Sequence, residues 1–128
     1  MEAQEVVTRT ARIWLRDDGI VQIISLPKVQ ETLDDAKRTI AAIVTVAAAT
    51  PRPVLLDMRA IGPQSREVRH YYARQGAAAG VLGTAILAGP PISRLVGNFF
   101  ITFGKPDRSA KFFTSEEDAI TWLKGFLE

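Results

Sequence analysis

The chain has 128 residues, no cysteine, and 16 basic against 14 acidic side chains, for a formal net charge of +2. That length suits one domain, 1–128, with a core of its own. The lack of thiols excludes disulfide and thiolate chemistry, and so small a basic excess gives no ground for nucleic-acid binding, which wants a clustered basic stripe.

Taken in order, Val6–Arg16 is rich in β-formers and predicts a strand. Asp17-Asp18-Gly19 predicts a tight hairpin turn, and Ile20–Leu26 a second, interior strand ended by Pro27. Thr32 is a good helix N-cap, with Asp34 and Asp35 in the first turn, where the helix dipole favours negative charge. Leu33, Ala36, Ile40, Ile43, Val44 and Ala47 recur at three and four, a helical stripe facing the sheet. That helix must end before Thr50-Pro51-Arg52-Pro53, because proline cannot continue it. Val54-Leu55-Leu56 is short and uniformly apolar, as in a central strand covered on both faces, and it stops on Asp57.

Ser65 then caps a helix running to about Ala78. Val68 and Tyr72 face inward, while Arg66, Arg69, His70 and Arg74 face mostly outward, with 66, 70 and 74 stacked at i, i+4 spacing. Val81–Ala88 is a further buried strand. Pro91 suits the first position of a helix, continued through Phe99, Phe100 and Phe103 and broken at Gly104-Lys105-Pro106. Lys111-Phe112-Phe113 makes a short last strand, and Ser115-Glu116-Glu117-Asp118 starts a last helix in the manner of a capping box. The class is therefore α/β: an N-terminal β-hairpin joined to a mostly parallel sheet of about five strands, with about four helices.

Little in this chain points to catalysis. His70 is the lone histidine and has no second ligand at helical spacing, so no metal and no cofactor are expected. Ser65 and His70 are five apart, on different faces of one helix, so Ser65 reads as a cap rather than a nucleophile. The glycines at 76, 80 and 83 precede a strand, whereas a dinucleotide loop follows one. The expectation is a protein that is not an enzyme.

Two candidate surfaces remain. Asp57 ends a parallel strand at the edge where ligands and partners are usually met. With Arg59, Arg66, Arg69, His70 and Arg74 it forms either a solvated face or a surface for an anion or acidic partner, since guanidinium forks match carboxylate and phosphate. Phe99, Phe100, Phe103, Phe112 and Trp122 are either core or the lining of a small apolar pocket or homodimer interface. The opening Met1–Val6 lacks the apolar core of a secretory signal, and the longest apolar run, Ile40–Ala49, is well short of the ~18 residues of a membrane span. A cytoplasmic location is the default.

The strand Val54-Leu55-Leu56-Asp57, then Met58-Arg59-Ala60-Ile61, then the helix opened near Ser65-Arg66, resembles the central motif of STAS domains, the anti-sigma-factor-antagonist fold. The ending Phe112-Phe113-Thr114-Ser115-Glu116-Glu117-Asp118-Ala119-Ile120-Thr121-Trp122-Leu123 is similar to that of SpoIIAA-like (STAS/SEC14-related) bacterial proteins. The resemblance runs over most of the chain and implies a SpoIIAA-like sandwich. In antagonist members an Asp-Ser pair opens the helix and a partner kinase phosphorylates the serine. Counting the same gap from Asp57 puts Ser65 in the aspartate's place and Arg66 in the serine's. Either the loop differs by one residue and Ser65 is the switch, or the switch has been lost; loss is the preferred reading. The resemblance thus implies a regulatory, protein-interaction domain or, by the SEC14-related branch, a binder of a small apolar, lipid-like ligand.

Overall fold

A computed structural model describes residues 5–27, 30–60, 65–76, 79–89 and 110–127. The strands are β1 (Glu5–Val7), β2 (Ala11–Leu15), β3 (Val21–Ser25), β4 (Arg52–Asp57), β5 (Val81–Leu87) and β6 (Ala110–Phe113). The helices among these residues are α1 (Leu33–Ala47), α2 (Arg66–Gln75) and α3 (Glu116–Lys124). The helix expected over 91–103, with Phe99, Phe100 and Phe103, lies outside the described residues.

The sheet runs β1-β2-β3-β4-β5-β6 in chain order. The first two pairings are antiparallel and the last three parallel. It therefore has six strands where about five were expected, because Val6–Arg16 is not one strand. The break is made by Thr8, whose Oγ1 accepts from the Thr10 and Ala11 amides at 3.3 and 3.1 Å while its own amide donates to the Ala11 carbonyl. A hydroxyl satisfying backbone donors locally competes with the strand ladder. The expected hairpin is β2–β3, closed at Gly19, whose φ of 87° suits a residue with no Cβ.

The sheet divides the core in two. On one side, Ile13, Val21, Ile23 and Val54 meet Ala42, Ile43, Val46 and Ala47 of α1. On the other, Ile20, Leu55 and Ala85 meet Ala119 and Leu123 of α3. Adjacent residues Val54 and Leu55 thus serve opposite faces, as a central strand should. Pro53, which has no amide to give to the ladder, coincides with a register shift between Arg52 and Val54 in the β4–β5 pairing. Gly83 is required by packing: a Cβ there would lie 2.5 Å from the Phe126 ring.

Helix α1 begins with a capping box. The Asp35 amide donates to Thr32 Oγ1 at 3.2 Å, and the Thr32 amide donates to Asp35 Oδ2 at 2.8 Å. It ends in two left-handed alanines, Ala48 and Ala49, at φ 53° and 62°. Right-handed crossovers in a sheet of this order place α1 and α2 on the same side, and α2 lies against α1 there.

Candidate functional site

The polar residues singled out above fall in two groups, one at the C-terminal end of β4 and one on α2. The first is Asp57 with Arg59. The Arg59 guanidinium grips the Asp57 carboxylate as a fork, Nε to Oδ1 at 3.0 Å and Nη2 to Oδ2 at 2.8 Å, and the Arg59 amide donates to Oδ1 at 3.1 Å. Burial pushes the Asp57 carboxyl up, but these hydrogen bonds and the adjacent charge outweigh it and hold the group below the ordinary range. Arg59 remains half exposed, and Glu116 at the start of α3 adds to the field that keeps it charged. Asp57 is thus largely buried and spoken for, and Arg59 carries the outward charge of the pair. Gly89 lies at this corner: a Cβ there would come 3.7 Å from the Arg59 carbonyl oxygen.

The second group is α2. Ser65 sits at its N-cap, exposed, with Oγ accepting from the Val68 amide at 3.2 Å. Val68 is buried and defines the inner face. Four residues on, Tyr72 turns the same way and donates its hydroxyl to Glu31 Oε2 at 2.7 Å. Arg66 and Arg74 are exposed, whereas Arg69 and His70 are half-buried. Arg66 Nε donates to His70 Nε2 at 3.3 Å, the i, i+4 contact the spacing implied. Among the described residues neither Arg66 nor Arg74 has a carboxylate partner. By contrast Arg9, Arg12, Arg16, Arg38 and Arg59 are all ion-paired.

Beside α2, at the start of α1, lies a polar cluster that sequence reasoning missed. Asp35 is buried and receives the Arg9 guanidinium from the β1–β2 turn, and Arg9 also donates to the Gln30 carbonyl at 2.8 Å. The Arg9 hydrogen bond, opposed by burial and helped by the Thr32 cap, lowers the Asp35 carboxyl to about 2. Glu31, also buried, accepts from Tyr72. These partners stand 26 and 41 residues apart in the chain, and no local motif announces them.

Of the apolar candidates, Phe112 and Trp122 lie among the described residues. Phe112 pairs in register with Ile86, Leu56 and Ile23, and so points to the α1 side. Trp122 packs against Phe113 and Phe126 on the α3 side, ring centroids 5.7 and 5.0 Å apart. The sheet separates Phe112 from Trp122, so these two cannot line one pocket. Among the described residues, no group of three or more potential metal ligands is assembled, and no helix is long and apolar enough to cross a membrane.

The fold, a hairpin-led, mostly parallel sheet, is shared with a solved structure. That structure is an uncharacterized protein of the DUF3478 family with a SpoIIAA-like fold from Shewanella loihica PV-4. The match has a TM-score of 0.56 at 16% identity and covers 95% of this chain and 92% of that one, so the fold is SpoIIAA-like. The family described as a domain of unknown function, DUF7793, matches residues 13–127, and this chain belongs to it. No curated protein matches the sequence.

Proposed function

We propose that this chain is a non-enzymatic, cytoplasmic protein-interaction domain of regulatory type, contacting an acidic partner through the outward face of α2. The observation that carries the reading is charge allocation. Arg9, Arg12, Arg16 and Arg38 elsewhere, and Arg59 itself, are matched to carboxylates, while Arg66 and Arg74 are exposed and have no carboxylate partner among the described residues. An exposed ion pair contributes at most about 1 kcal/mol to folding. Unmatched guanidinium groups on one face add nothing to stability, yet they suit carboxylates or phosphates on another molecule.

The same geometry disfavours catalysis at this edge. Asp57 is held ionised by its own neighbour, which weakens it as a proton acceptor. Ser65 has its hydroxyl in the helix cap, with Arg66 in the next position. A constitutive surface, without the phosphoserine switch of antagonist proteins, agrees with that arrangement.

Affinity capture from extract of the native cells, with the wild-type chain and the Arg66→Glu/Arg74→Glu variant side by side, tests the proposal. The expected result is a specific partner retained by the wild type and lost by the folded variant. The same partner held equally by both would overturn it. Mass spectrometry of the Ser65 peptide should find it unmodified; stoichiometric phosphate there would restore the switch.

A further inference from the structure

We propose that His70 is a proton-operated control on the α2 surface: neutral, it holds the Arg66 guanidinium along the helix, and on taking a proton it releases that group and adds a charge of its own. The regulatory use rests on the reading of α2 as the contact surface for an acidic partner; the exchange at His70 does not.

The direction of one hydrogen bond carries the inference. Arg66 Nε lies 3.3 Å from His70 Nε2. A guanidinium has donors and no acceptor. The contact therefore needs a lone pair on Nε2, with the ring neutral and its proton on Nδ1. Protonated imidazole donates from both nitrogens, so a solvent proton on Nε2 takes the place of the Arg66 Nε–H, which Arg66 keeps and turns to water. Two cations four residues apart on a helix then repel each other. Arg74, one turn beyond His70, is exposed like Arg66. The column at 66, 70 and 74 thus gains a third positive charge beside the two arginines.

The charged groups around the ring suit this exchange. On α2 itself, Arg66 and Arg74 stand one turn to either side, and Glu67 and Arg69 flank the ring. Among the described elements α2 packs on α1, whose acids Glu31 and Asp35 act on Tyr72. Tyr72 is two residues on from His70, so it lies nearly opposite on the helix, and those acids stand on the far side from the ring. Among the described residues no carboxylate is ion-paired with His70. Imidazole ordinarily changes charge between about pH 5 and 8, and the chain has a single histidine. A pH response of this surface can therefore be traced to one residue. Its sign is fixed: contact with an acidic partner strengthens as pH falls through that range.

Two readouts on the whole chain test this. Long-range proton–nitrogen NMR of the free protein at about pH 8 should show Nε2 bare and Nδ1 carrying the hydrogen, with a proton appearing on Nε2 as pH is lowered to about 5.5. Hexa-aspartate, whose carboxylates stay ionised over this range, should bind about 3-fold more tightly at the lower pH in low salt. His70→Gln should bind it equally at both, because its amide stays neutral and can still accept from Arg66. A proton on Nε2 at about pH 8 would overturn the proposal. So would a pH response of binding that is absent from the wild type or kept in full by His70→Gln. No binding at either pH would end the contact-surface reading and the regulation with it, while the ring nitrogens decide the exchange by themselves.

Discussion

Helices α1 and α2 lie side by side on one face of the sheet and could hardly be put together more differently. Helix α1 has fifteen residues, a capping box, and a continuous stripe of buried side chains set against β2 and β3. Helix α2 has ten residues, with Val68 buried and Tyr71 and Tyr72 half-buried among its described side chains, and a face of arginine and histidine. The first is built to make the fold and the second to be held by it. The outward arginines of α2 are what the proposed contact surface would use.

That contrast can be broken most severely from the α1 side. Ile43→Ala removes a buried side chain from the first core cluster and should cost about 3 kcal/mol in chemical denaturation. The next largest effect is one of pH. Asp35 ionises at about 2, below its ordinary 3.8, so its contribution is fully present above about pH 4 and is lost as pH falls through about 2. After allowance for the half-exposed Arg9, that contribution is on the order of 1–2 kcal/mol. Acid titration of stability should show this loss, and Asp35→Asn should flatten the curve between pH 4 and 2.

Smaller effects sharpen the comparison. Ala48→Gly at the left-handed end of α1 should stabilise the protein by about 1 kcal/mol, measured by thermal or denaturant melting. At the bottom of the scale, Arg74→Ala on α2 should leave global stability within about 0.5 kcal/mol, because this exposed side chain has no partner among the described residues. A large cost there would mean that α2 is structural after all.

The elements were legible because their signals are local. Thr32, Ser65 and Ser115 each cap the helix they precede in the sequence, and the apolar Val54–Leu56 run occupies the sheet centre. What the sequence concealed was contact between distant side chains. Nothing about Glu31 marks it as the partner of Tyr72, since that meeting depends on how two crossovers lie together. The split between β1 and β2 turned on a threonine hydroxyl competing with a ladder, which β-propensity does not register. The Asp57–Arg59 fork, however, was within reach: an acid at a strand end with a cation two residues on is a turn that can close on itself. Phe112 and Phe113, adjacent in one strand, had to face opposite ways; only the register decides which joins α3.

The most direct test of the account is site-specific photo-crosslinking in the native cells. A photoreactive residue would be placed in turn at position 74 on α2 and at position 44 on the exposed side of α1, where Val44 is open to solvent. The account predicts a discrete protein adduct from position 74 and none from position 44. An adduct from position 44 alone would contradict it and move the working surface to the other helix.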